Sequence, residues 1–313
     1  MCPNEKIIDE NTSNNDDSEW IDLALTEDYV QSFNEQNLLS AILSNKLKNG
    51  NDGGLLADQR YAMKYYYGQF LAHTLAYELS KPENDNFELL YSINKHKDVL
   101  QENGKFYKHN YVRLVVSNLG LVGYVLYPSS QVINDDNPLD IKIIFRGTNP
   151  KSIDSLSRDI YEVHGAGAFS FMQNKNLILH QICEIIDKII VKSEISSKEQ
   201  QPINITIAGH SLGGADAQHC LVAIMQVISQ SLGYVNDGNS INKDIPSSIV
   251  DKFAKNRINK LRLFIYNSAG VPMSTKELSI KLADFLYSNK QKKSLLQNLD
   301  IESYNYLVTG DVV

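Results

Sequence analysis

Ser211 stands in the run Gly209-His210-Ser211-Leu212-Gly213-Gly214-Ala215, a G-x-S-x-G pattern. Ile203 to Ala208, just before it, is a short run rich in β-branched residues that reads as a buried strand. Just after it, Ala215, Leu221, Ala223, Ile224, Val227 and Ile228 recur at helical spacing. The bare pattern is frequent by chance; its placement between a strand and a helix is what gives it meaning. Glycines on either side let the chain turn without side-chain clash and lift the hydroxyl above the sheet edge. The start of the following helix adds partial positive charge where negative charge develops during attack on a carbonyl. The chemistry on offer is nucleophilic catalysis, which also needs a base, an acid to orient that base, and donors for an oxyanion.

Those groups must be positioned by a scaffold, and the pattern along the chain predicts one. Val112 to Ser117 and Leu121 to Tyr127 are two β-branched runs around Asn118-Leu119-Gly120, which predicts a hairpin. Ile141 to Phe145 predicts a strand buried on both faces, and about 168–192 a helix. A strand at Leu261 to Tyr266, a helix at Thr275 to Leu286 and a strand at Tyr304 to Val308 follow. Strands alternating with helices imply right-handed crossovers, hence an α/β fold with a mostly parallel sheet flanked by helices. Ser231 to Lys260 is rich in Gly, Asn, Ser and charge and reads as an insertion or mobile loop with a short helix at Ile249 to Phe253.

The first 110 residues are of another kind. Residues 1–19 are polar and acidic and read as a disordered tail, with too little apolar surface to offset ordering entropy. Residues 20–110 read as a helical extension packing on the domain at 111–313, with Leu55 to Leu79 its strongest helix and an aromatic stripe through Tyr61, Tyr65 and Phe70. Partner or membrane docking, or a lid, is the alternative for Trp20 to Leu79.

A chain of 313 residues with 42% hydrophobic content can bury one large core or two small ones. Its net charge of −7 supplies no basic stripe for phosphates, which argues against nucleic acid as a partner. Cys2, Cys183 and Cys220 lack metal-ligand spacing, and the last two fall in apolar helical stretches, so buried free thiols are expected. Met1 to Glu19 has no apolar run after a basic start, and Leu177 to Val191 is broken by His180, Glu184, Asp187 and Lys188. Neither a cleaved secretory signal nor a membrane span is expected, which points to the cytoplasm or to a signal-independent export route.

GHSLGGA at 209–215, together with Ile143-Ile144-Phe145-Arg146-Gly147-Thr148, resembles the class 3 (fungal-type) lipase family of α/β-hydrolases. The resemblance covers roughly Val112 to Val313. In that family a strand ending in F-R-G-[ST] supplies the oxyanion hole, which implies that Thr148 and the backbone N–H of Leu212 hold the oxyanion. Val163-His164-Gly165-Ala166-Gly167-Ala168-Phe169 is similar to the family's H-x-G-F segment, with two more residues between His and Phe, and implies a structural His164. Ile265 to Pro272 is similar to the strand and turn that reads F-N-A-P-G in relatives. Tyr306 to Val313 resembles the N-x-x-D-x-V pattern and implies that Asp311 orients the base. Asp251, Asp284 and Asp300 remain alternatives, read as solvated charges in helix or loop.

The departure from the family is the base. Triads of this fold run Ser, Asp, His along the chain, whereas His73, His96, His109, His164, His180, His210 and His219 all precede Asp311. His210, in the turn itself, is expected to point away from the serine. The residues are therefore expected to be a fragment whose histidine follows, and this chain alone to be nearly inactive. A catalytically inactive hydrolase-fold binding or regulatory module is the competing expectation. Otherwise the resemblance implies a carboxylic ester hydrolase acting on lipid acyl esters, of triacylglycerol lipase or phospholipase A1 kind. It would need no cofactor or metal, and would touch a membrane surface only transiently.

Overall fold

Alternation along each strand divides the sheet into two unlike faces, and the helices follow from that division. The structure is a computed structural model, and it describes residues 65, 67–79, 91–92, 108–116, 120–128, 138–148, 165, 167–192, 202–234, 245–289 and 298–306. Seven strands form one sheet in sequence order: β1 (Tyr91–Ser92), β2 (Lys108–Arg113), β3 (Gly123–Pro128), β4 (Leu139–Phe145), β5 (Pro202–His210), β6 (Arg257–Tyr266) and β7 (Asp300–Tyr306). The pairings β1 to β4 are antiparallel, and β4 to β7 parallel. The fold is thus α/β with a mixed sheet flanked by helices.

Odd-numbered residues of β4 to β6 form the apolar face. Ile141, Ile205 and Leu261 are in register on neighbouring strands and have no exposed surface. Each contributes about 1.5–3 kcal/mol by leaving water. This face is covered by α2 (Ala168–Lys192), α3 (Leu212–Ser231) and α4 (Ser247–Ala254), with α5 (Met273–Asn289) against α3. A register shift beside Ile203 leaves Asn259 as an extra residue in β6, so that Ile258 and Leu261 both join the core despite their spacing of three.

Even-numbered residues form a layered polar and aromatic face. Lys142, Thr206, Arg262 and Glu302 make one rung across β4 to β7, while Ile144, Ala208, Phe264 and Tyr304 make the next. His210, Tyr266 and Tyr306 lie at the carboxyl ends. A helix over 67–78, α1, crosses this face: Tyr65 meets Tyr266 and Tyr306, and Tyr67 meets Phe264. It contains a π turn, Phe70–Leu75, followed by Ala76–Glu78.

Three boundaries differ from the sequence expectations, the first being the hairpin strand expected from Val112 to Ser117, which is found as β2 over Lys108–Arg113. Residues 245–260 are ordered as α4 and the start of β6, because Ile249 and Phe253, one turn apart, are buried in the core; 235–244 lie outside the described residues. Where a strand was expected from Tyr304 to Val308, β7 covers Asp300–Tyr306 and thus begins four residues earlier, while 307–308 lie outside the described residues. Its acidic residues are tolerated because Lys260 lies 3.8 Å from Asp300 and Arg262 lies 3.3 Å from Glu302. The tail at 1–19, with most of 20–110, is outside the described residues.

Candidate active site

Ser211 sits where β5 ends and α3 begins, with φ 54° and ψ −125°. An L-residue is driven there only by its surroundings, at a cost of about 1–3 kcal/mol. The constraint is visible: the Ser211 N–H donates to the Tyr266 carbonyl at 3.0 Å. The Ser211 carbonyl accepts from Gly214 at 2.9 Å and from Ala269 at 3.2 Å. The side chain caps no backbone N–H of α3, and the residue is half-buried. A hydroxyl is thereby held at the carboxyl edge of the sheet, next to the positive end of a 20-residue helix.

The two sequence motifs meet at glycines. A Cβ on Gly209 would collide with the Gly213 and Gly214 backbone, so the turn closes only without one. On Gly213 it would strike the Phe145 carbonyl and lie 2.7 Å from the Arg146 carbonyl carbon. On Gly147 it would lie 2.7 Å from the His210 carbonyl oxygen and 3.3 Å from Ser211 Cβ. The segment after β4 and the serine turn are thus in backbone contact. Since Phe145 pairs with Gly209 in parallel register, Thr148 leaves β4 beside the start of α3, where Leu212 is buried. Ser211 is thus bordered by Gly147, the residue before Thr148, and is followed directly by the buried Leu212.

The opposite side of the turn is built from α1. His210 stacks on His73, with ring centroids 3.9 Å apart, and its Nδ1 lies 3.4 Å from the Tyr77 hydroxyl oxygen. His210 therefore faces the polar side of the sheet, away from α3. Behind the serine, Asn267 is buried at φ 40° and donates its N–H to the Tyr306 carbonyl at 2.9 Å. Gln218 donates to Ser268 Oγ at 2.8 Å, and a Cβ on Gly214 would meet that same Ser268. The segment that resembles F-N-A-P-G thus supports the turn from below. Gly165, at φ 106°, leaves a space that Pro272 fills, so the segment containing His164 and the one after β6 also adjoin.

Asp311 and His164 lie outside the described residues. Of the alternative acids, Asp300 opens β7 at the amino edge, the far end of the parallel strands from Ser211, and is a strand residue rather than the helix or loop residue expected. Asp251 and Asp284 are exposed on α4 and α5. His219 is buried, stacked 5.7 Å from Phe171, and His180 is exposed beside Glu184 at 3.7 Å. Cys183 and Cys220 are buried free thiols. Burial pushes Cys183 up to about 12 and Cys220 higher still, which makes both inert as nucleophiles. His73 and Tyr77 were not legible as site residues; the only signal was a pair of polar-tipped aromatics four apart within an apolar helix.

Among the described residues, no group of three or more His, Cys, Asp or Glu side chains could hold a metal ion, and no helix is long and apolar enough to cross a membrane. No protein-family model matches the chain, and neither does any curated protein.

Proposed function

We propose that this chain is a serine ester hydrolase with an α/β-hydrolase fold, similar to class 3 lipases and acting on lipid acyl esters. The observation that carries the reading is Ser211 held at φ 54° between β5 and α3, with the segment after β4 in backbone contact with it. Strain of this kind, with a hydroxyl presented at a helix start, is what a nucleophile needs and what a structural turn does not.

In this mechanism Ser211 Oγ forms a bond to the acyl carbon as its proton passes to a histidine oriented by Asp311. The carbonyl oxygen becomes an oxyanion held by Thr148 and the Leu212 N–H. The ester C–O bond then breaks, and the alcohol leaves with the proton from the histidine. Water, deprotonated by the same base, attacks the acyl-enzyme; the carboxylic acid departs and Ser211 is regenerated. The base follows Asp311 in the order of such triads, and none of the histidines in these 313 residues does so. Phe169 and Met273, 54% and 69% exposed, flank the segments that adjoin at Gly165 and Pro272, in keeping with an apolar substrate.

The competing reading is a hydrolase-fold binding module that keeps the serine turn without turnover. Labelling with a fluorophosphonate probe, on the product of the complete coding sequence, separates the two. Labelling that disappears in Ser211→Ala supports the esterase. A folded wild-type protein that takes up no probe refutes it and leaves the binding module.

A further inference from the structure

We propose that the Tyr77 hydroxyl is a third oxyanion donor, delivered from α1 on the polar face of the sheet and steadied by His210; the proposal rests on Ser211 being the nucleophile. The direction in which Gly147 lacks a side chain shows the path. A Cβ there would lie 2.6 Å from the Tyr77 hydroxyl oxygen and 3.3 Å from Ser211 Cβ, so the phenol and the serine border one small space over the segment expected to hold the oxyanion. Glycine keeps that space open.

The phenol suits the task. A tyrosine O–H donates without carrying charge and is among the groups that serve oxyanion holes. Its neighbour is His210, whose Nδ1 lies 3.4 Å away. In the tautomer with a proton on Nδ1, His210 donates to the phenol oxygen, and the phenol proton is then donated to the developing charge. A contact of this length tightens as charge forms, as hydrogen bonds of unliganded sites commonly do.

The placement of Tyr77 is built rather than incidental. Packing of α1 is supplied by Leu71, Ala72, Leu75, Ala76 and Leu79, all buried, whereas Tyr77 is half-exposed at the carboxyl edge. The π turn at Phe70–Leu75 carries His73 onto His210 and Tyr266, and Tyr77 follows four residues later onto the same His210 ring. Wide turns of this kind are concentrated at functional sites.

The test is the rate of fluorophosphonate labelling of the full protein, in wild type, Tyr77→Phe, His210→Leu and Ser211→Ala. In this reaction Ser211 Oγ bonds to phosphorus as fluoride leaves, the hydroxyl proton passes to the base, and the phosphoryl oxygen occupies the oxyanion position. Tyr77→Phe keeps the ring and its packing. It is expected to slow labelling roughly 10- to 100-fold and to lower kcat on a p-nitrophenyl ester with little change in KM, at an unchanged melting temperature. His210→Leu is expected to slow labelling in the same direction. Wild-type labelling and kcat in Tyr77→Phe, or a change confined to KM, overturns the donor role while loss of labelling in Ser211→Ala keeps the nucleophile. Absence of labelling in the folded wild type overturns both.

Discussion

Gly213→Ala tests whether backbone contact between the two motifs is what assembles the site. The new Cβ would lie 2.7 Å from the Arg146 carbonyl carbon and 2.8 Å from that of Phe145, with the Phe145 carbonyl oxygen closer still. These are backbone atoms that no rotamer change can move. To restore ordinary contact, α3 and the end of β4 must part by roughly 1 Å, the Phe145 carbonyl oxygen being the nearest obstacle. Overpacking of this sort costs about 1–3 kcal/mol. The chemical cost is larger, because the displacement separates Ser211 and Leu212 from Thr148, and a misplacement near 1 Å costs roughly 10²-fold in rate. Fluorophosphonate labelling and thermal unfolding are measured for Gly213→Ala beside Gly270→Ala. Gly270 is exposed, has nothing within 4 Å of its added Cβ and is not at positive φ, so its variant should behave as wild type. If Gly213→Ala labels at the wild-type rate and melts at the wild-type temperature, the two motifs do not depend on this contact and the reasoning fails.

Two further outcomes are expected. Ser211→Gly should raise the melting temperature by relieving the residue at φ 54°, about 1 kcal/mol net of the entropy glycine adds to the unfolded chain, while abolishing labelling; a lower melting temperature in calorimetry would show that no strain is stored there. Cys183 and Cys220, raised by burial, should stay unmodified by iodoacetamide at pH 8 in the native protein and react in urea, as peptide mapping by mass spectrometry can check; rapid native modification of either would contradict their burial.

The strand–serine turn–helix geometry was legible because its requirements are local: a strand, a helix and two close glycine contacts leave a pattern within seven residues. The limits of α2 were legible from period alone, as was the existence of an antiparallel hairpin before β4, though its first strand lies over Lys108–Arg113 rather than from Val112 to Ser117. What failed were signals that depend on partners far along the chain. Asp300 and Glu302 look like loop residues until Lys260 and Arg262 stand beside them on the next strand. Ile258 breaks the alternation of β6 until the extra Asn259 is seen to restore it. Tyr65 was read as part of a packing stripe, and it does pack on Tyr266 and Tyr306, but His73 and Tyr77 continue the same helix to the serine turn, a destination that no local pattern encodes.

The two faces of the sheet explain why that helix is bound to its place. An apolar face accepts any helix of suitable shape, whereas the face bearing Lys142 and Arg262, 3% and 8% exposed, accepts only a partner that satisfies buried charge. Burial disfavours the Lys142 ammonium most strongly, yet Asp140, hydrogen-bonded to it at 2.6 Å, and Tyr67 outweigh that effect and raise its pKa. A raised folded pKa means stability that is complete below the ordinary lysine range and lost as pH climbs through the folded value. Burial raises the pKa of Tyr67 in turn, although Lys142 opposes this, and its hydroxyl is hydrogen-bonded with Thr206 on the same rung. Ten residues later on α1 comes Tyr77. A helix pinned at one end by a polar rung cannot slide along the sheet, and its other end is therefore fixed against Gly147 and Ser211. The charged rung, remote from the chemistry, thus sets the position of a hydroxyl at the site, and disturbing the rung should blunt labelling by displacing Tyr77 before it unfolds the chain.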